Sequence, residues 1–249
     1  MTDHGYTPTA SEQAEIDRAN ASGKQPVVFV HGLWLLDSSW DRWAAFFEEA
    51  GYAAVTPGWP DDPTSVEAAR AHPDAFAGKS VGDVAAYQQM IIERLDRRPA
   101  IIGHSFGGLL VQILAGRGLS AATCAIDQFR FGFANAVTED EAHALYDTFH
   151  VAGSGIPIFQ AAFANINPAS EVVADKKNPE RGPMLIVSGE LDHQAPPAIS
   201  EATFKQQQKN TVSVTELVEI PGRGHSLTID SGWQEVAQVC LDFIGRFVR

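Results

Sequence analysis

Apolar residues fall along this chain in two rhythms that take turns. Short unbroken runs at residues 26–30, 52–57, 99–102, 121–127 and 183–188 read as strands buried on both faces. Between them apolar residues recur every three or four positions, as on a helix with one face inward. Residues 39–51 place Trp40, Trp43, Ala44 and Phe47 on one stripe, with Ser38 or Ser39 as the cap and Gly51 to end the helix. Ser80 and Asp83 predict the start of a helix that continues through Val84, Tyr87, Ile91 and Leu95 to Arg98. Leu109, Leu110, Ile113 and Leu114 predict another after residue 105, Pro197 opens one that reaches about Lys209, and residues 231–247 predict the last. Residues 211–220 alternate enough for one more strand near the sheet's edge, and residues 64–78 predict a short helix and a loop. Residues 1–25 are polar and read as a flexible lead-in or a surface arm with a short helix near 11–20.

Strand, helix, strand in this order predicts an α/β fold, a mostly parallel central sheet with helices on both faces. Residues 128–180 break the rhythm with phenylalanines, glycines and prolines, and show one evident helix at 139–149. The expected organisation is therefore a core domain of residues 1–127 and 181–249 carrying a cap insertion, residues 128–180.

Composition narrows the partners. A formal net charge of −13 over 249 residues repels a phosphate backbone and an anionic membrane surface, so neither nucleic acid nor membrane is expected as a partner. No apolar run approaches the roughly 20 residues that span a bilayer, and the start of the chain lacks a basic segment followed by an apolar one. A cytoplasmic location is expected, with Cys124 and Cys240 as buried thiols rather than a disulfide framework.

The candidate chemistry lies in Gly103-His104-Ser105-Phe106-Gly107, between a buried strand and a helix. A serine between two glycines at such a junction fits a sharp turn that lifts the hydroxyl above the sheet in a strained backbone conformation. A hydroxyl is a weak nucleophile until a base takes its proton, and the base works best when a carboxylate orients it. Ser105, Asp192 and His225 occur in the order this architecture requires, the last two in loops after predicted strands. Asp127, at the end of the preceding strand, is the alternative acid. His31 and His104 read as hydrogen-bonded structural histidines, and His193 and Glu190 as surface residues.

His31-Gly32, Gly103–Gly107, Gly189-Glu190-Leu191-Asp192 and Gly224-His225 together resemble the α/β-hydrolase superfamily over nearly the whole chain apart from the insertion. Within it the chain is similar to small esterases and to the cofactor-free perhydrolases often called non-haem haloperoxidases. The resemblance implies Ser105 as nucleophile, His225 as base and acid, Asp192 as the orienting carboxylate, and the backbone N–H groups of Leu33 and Phe106 as an oxyanion hole. It implies hydrolysis of a carboxylic ester or lactone with a partly apolar body through an acyl-enzyme. The same three residues could also serve carbon–carbon bond hydrolysis or perhydrolysis, or remain in a ligand receptor without turnover. Trp34, Phe129, Phe131, Phe133 and Phe163 read either as ordinary core or as walls of an apolar substrate pocket. No cluster has metal-ligand spacing and no phosphate loop is present, so no metal or cofactor is expected. The junction Asp127-Gln128 lacks the turn residues a strand end needs, which points either to a short cap or to a segment left out between them.

Overall fold

The unbroken apolar runs become one wholly parallel sheet. Its strands are β1 (Pro26–Val30), β2 (Ala53–Val55), β3 (Ala100–His104), β4 (Ala122–Ile126), β5 (Met184–Gly189) and β6 (Thr215–Ile220), in the order β2-β1-β3-β4-β5-β6. This computed structural model describes residues 5–126, 134–164, 167 and 170–248. The first five strands are buried at every position, which is why their sequences do not alternate, whereas the edge strand β6 is only partly covered.

Successive side chains enter two different layers. Val27 and Phe29 face α2 (Asp41–Glu49) and α9 (Trp233–Gly245), while Val28 and Val30 face α1 (Ala10–Ser22), α4 (Val81–Ile92) and α5 (Phe106–Gly116). The first layer is dense in aromatic rings, with Phe29 lying 5.3 Å from Trp40, 6.4 Å from Trp43 and 5.4 Å from Phe47 between ring centroids. Removing one such buried ring costs about 3–5 kcal/mol. Trp43 also donates its indole N–H to the carbonyl of Thr228 at 2.9 Å, which ties this layer to the loop that carries His225.

The remaining helices are α3 (Val66–Ala71), α6 (Glu139–Phe149), α7 (Ile156–Phe163) and α8 (Pro197–Gln207). Four elements depart from the sequence reading. α2 has Trp40 at its N-cap without a side-chain cap, because Ser38 and Ser39 lie in the tighter turn Asp37–Trp40. α4 ends at Ile92, and turns carry the chain to Arg98, where Pro99 disfavours helix in the residue before it. β6 starts at Thr215 because Asn210 accepts the N–H groups of Val212 and Ser213, both at 3.1 Å, and so holds that stretch out of the ladder. α7 is unforeseen, opening on Pro157 in its first turn among the glycines that obscured it. The N-terminal segment is no loose arm. α1 is closed by a reciprocal Thr9–Glu12 cap and buries Ile16 and Ala19 in the core.

The register aligns Val30 with Gly103, and His104 with Ile126, so β1, β3 and β4 end at one level. The chain leaves β1 towards β2 and then crosses back to β3, which opens a crevice at the carboxyl ends of β1 and β3. Two glycines let helix and strands close on that level. A Cβ at Gly107 would stand 2.1 Å from the Val30 carbonyl oxygen, and one at Gly103 2.2 Å from that of Gly107. Gly107→Ala is expected to lower unfolding stability by about 3 kcal/mol or more, the upper end for overpacking. Gly58→Ala, whose added methyl would meet only an ordinary contact at 3.5 Å, should stay close to the parent. Urea midpoints measure both, and equal midpoints would mean that the crossing can open without cost.

Candidate active site

Ser105 sits at the step from β3 into α5, with φ 55° and ψ −122°. A left-handed φ in a non-glycine residue costs on the order of 1–3 kcal/mol and persists only where its surroundings enforce it. Here the enforcement is backbone on both sides. Ser105 donates its N–H to the Ile126 carbonyl at the end of β4 (2.9 Å) and accepts that of Gly108 (2.9 Å). The hydroxyl is thereby placed over the carboxyl ends of the strands, beside the N-terminus of an eleven-residue helix.

The loops after β5 and β6 bring the other two residues together. Leu191 donates its N–H to the Arg223 carbonyl at 2.8 Å, and Glu190 accepts the N–H of Gly222 at 2.8 Å. A Cβ at Gly189 would stand 2.6 Å from the Arg223 carbonyl oxygen, so the two loops are in backbone contact. Held this way, Asp192 and His225 form a buried pair, with His225 Nδ1 2.7 Å from Asp192 Oδ2. The other carboxylate oxygen accepts the N–H groups of Gln194 at 2.6 Å and Ala195 at 2.8 Å. Asp192 therefore cannot turn away from the ring, and the ring presents Nε2 as its remaining nitrogen.

His104 links the His225 loop to the strand that leads into Ser105. Its Nε2 lies 2.8 Å from the carbonyl oxygen of His225, and the two rings are 5.0 Å apart between centroids. Burial pushes the His104 ring down to about 3, and the neighbouring His225 adds to the shift. His104 is thus a neutral strut rather than a second base. Among the described residues Ser105 and His225 share no hydrogen bond, in contrast to the reach expected from their proposed roles. Such contacts are commonly long until substrate draws them in.

The loop after β1 completes the crevice. A Cβ at Gly32 would stand 3.0 Å from Ser105 Cβ and 3.2 Å from the N of Phe106, so this backbone lies directly on the serine turn. Leu33 follows, buried, and Trp34 has φ 65°. The strained Trp34 is held by the N–H of Val151, donated to its carbonyl at 3.0 Å, and its indole lies over Gly153, where a Cβ would be 3.0 Å away. Leu33 and Phe106, the expected oxyanion donors, are thus brought to one end of the sheet on touching segments.

Asp192 meets His225, while Ser105 and Phe106 lie against the Gly32–Leu33 loop on the same edge of the sheet. Asp127, Phe129, Phe131 and Phe133, with the Asp127-Gln128 junction, lie outside the described residues. Phe163 is 56% exposed on α7. Helix spacing turns it outward with Ile156 and Phe159, because the α7 face towards the core is supplied by Ile158 and Ala161. His193 is exposed, as expected. The sequence reading missed the loop after β2, where Trp59 stacks on His31 at 5.6 Å and Asp62 contacts the same ring. A tryptophan inside a turn-rich polar stretch was the available signal. Among the described residues no group of histidine, cysteine and carboxylate side chains could hold a metal ion.

Comparison with known proteins agrees with this fold. The model of the Alpha/beta hydrolase family matches residues 27–239. The fold is shared with a monoacylglycerol lipase of Paleococcus ferrophilus, at 19% identity and TM-score 0.65, covering 89% of this chain and 94% of that one. It is shared with a thermophilic esterase of Thermogutta terrifontis at 15% identity and TM-score 0.58, covering 90% and 83%. A protein of Mycobacterium tuberculosis designated a non-heme bromoperoxidase aligns at 17% identity and TM-score 0.60, covering 90% and 93%. Among curated proteins none matches the chain in sequence.

The neutral His104 sets a stability prediction. An unfolded histidine takes up a proton near pH 6.5, while the folded ring resists down to about 3. Between those values the unfolded state binds more protons, so stability falls as the pH is lowered, by at most about 1.4 kcal/mol per unit from this group. Urea midpoints at pH 7 and pH 5 should show a steeper loss for the parent than for His104→Gln. Equal slopes would mean that His104 is charged in the fold.

Proposed function

We propose, for a chain that belongs to the alpha/beta hydrolase family, that it hydrolyses a carboxylic ester or lactone with a partly apolar body through an acyl-enzyme on Ser105. The observation that carries this reading is the buried Asp192–His225 pair, at 2.7 Å, on the same edge of the sheet as a serine held at positive φ. Asp192 accepts the Nδ1 proton of His225 and fixes the tautomer in which Nε2 is the base. His225 takes the Ser105 proton as Oγ bonds to the substrate's carbonyl carbon, and the oxygen's developing charge meets the N–H groups of Leu33 and Phe106. The imidazolium then gives its proton to the departing alcohol. Water, deprotonated by the same ring, attacks the acyl group and frees Ser105.

The acyl-enzyme reading is favoured by the turn itself, since the strain at Ser105 has no packing role that a glycine would not fill at lower cost. The purified protein should hydrolyse members of a panel of 4-nitrophenyl esters and lactones, and a fluorophosphonate should label Ser105. Ser105→Ala and His225→Ala should each lower kcat by about a thousandfold or more, and the double variant should lose little beyond that, because the residues act as a unit. Additive losses would count against the triad. Labelling of Ser105 without turnover of any ester or lactone would overturn the hydrolase reading in favour of a ligand receptor.

A further inference from the structure

A buried charged pair stands behind the Leu33 loop, and the reaction as written does not use it. Asp62, in the turn after β2, has a side chain only 7% exposed. Its Oδ1 is 3.2 Å from Lys79 Nζ, while its Oδ2 accepts the N–H of Trp59 at 2.9 Å and lies 3.2 Å from His31 Nε2. The other ring nitrogen, Nδ1, is 2.9 Å from the carbonyl oxygen of Gly32. The imidazole therefore lies between the Asp62 carboxylate, which it meets at ion-pair distance without a hydrogen bond at Nε2, and the Gly32 carbonyl. Trp59 keeps it in plane, stacking on the ring at 5.6 Å and donating its indole N–H to the His31 carbonyl at 3.3 Å.

The Gly32 carbonyl and the Leu33 N–H belong to one peptide unit. Because that unit is planar and trans, fixing the direction of its C=O fixes that of its N–H on the opposite edge. Gly32 itself rests on Ser105 and Phe106, so a rotation of this peptide would swing a donor lying beside the nucleophile. The space enclosed by His31, Trp34, Asp62 and Gly153 is ≈ 10 Å³, about that of one water, which makes the cluster a support and not a ligand pocket. Lys79 balances a carboxylate that would be costly to bury alone, and it leaves Oδ2 to the Trp59 N–H and the ring.

We propose that Asp62 is a positioning residue for the oxyanion hole: acting through His31, it fixes the rotation of the Gly32–Leu33 peptide and so aims the Leu33 N–H at the oxygen where charge develops. The inference rests on the serine-hydrolase reading above. Its effect should appear in the transition state and hardly at all in substrate binding.

The test compares the parent with Asp62→Asn and with the double variant Asp62→Asn/Lys79→Met, using 4-nitrophenyl acetate as substrate. An aryl trifluoromethyl ketone, which adds reversibly to a serine as a tetrahedral oxyanion, is titrated beside its non-reactive alcohol. Asp62→Asn should lower kcat by about 10- to 100-fold with KM within about threefold. Ketone affinity should fall by the same factor as kcat/KM, with alcohol affinity unchanged. The double variant should keep the kcat loss although it recovers thermal stability, and it carries the comparison alone if Asp62→Asn does not fold. Full kcat in either folded variant, or a loss that spares the ketone, overturns the proposal and leaves Asp62 a folding residue. A parent that neither turns over the ester and lactone panel nor accepts the fluorophosphonate label removes the hydrolase reading, and this inference with it.

Discussion

The structure depends on how closely three backbone segments approach one another at the carboxyl ends of β1 and β3. Gly32, Gly103 and Gly107 each lie where a single added carbon would meet a carbonyl oxygen at 2.9 Å or less. That contact lets α5 start directly over the sheet, and the start of α5 forces Ser105 into its left-handed conformation. Such strain is stable because the neighbouring hydrogen bonds, Ser105 to Ile126 and Gly108 to Ser105, belong to the strand level and the first helical turn and leave no relaxed alternative. A loosened crossing would release the serine before it disturbed the core.

A second contact of the same kind closes the other side. Gly189 lies on the Arg223 backbone, so Asp192 and His225 meet because their loops touch, and their attraction has only to select the last rotamer. The loop after β6 is then tied down further. Ser226 donates to Asp230 at 2.9 Å, Arg223 bonds the same carboxylate, and the Thr228 carbonyl receives the Trp43 indole. The candidate base thus stands on two elements remote in sequence, the loop after β5 and α2. A precise site on loops is possible because each loop is held by rigid parts of the fold.

What was legible in the sequence is what short-range chemistry imposes. Gly103-His104-Ser105-Phe106-Gly107 could be read because the turn demands glycine at fixed offsets, and β1, β3, β4 and β5 because strands covered on both faces leave unbroken apolar runs. Asp192 stood out over the alternative Asp127 by its place after a strand and by the resemblance, and it is Asp192 that contacts His225. The supports were hidden for a physical reason. Trp34 carries no sign of positive φ, since nothing in a tryptophan favours that conformation and Val151 and Gly153, more than a hundred residues on, hold it. Asp62, Asn135 and α7 likewise take their roles from partners distant in the chain.

Residues 134–164 are bonded to both halves of the candidate site at once. Val151 holds Trp34 beside the Leu33 loop, while Asn135 donates to the Leu191 carbonyl at 2.6 Å and lies against Gly224, next to His225. Leu145 of α6 packs with Leu35 and Ile229, one from each side of the crevice. The block is therefore a keystone. Replacing this segment with a relative's would also exchange the clamps that hold the candidate site. A transplant that keeps the contacts at 135–136 and 151–153, and varies only what lies between and beyond them, is the exchange this architecture permits.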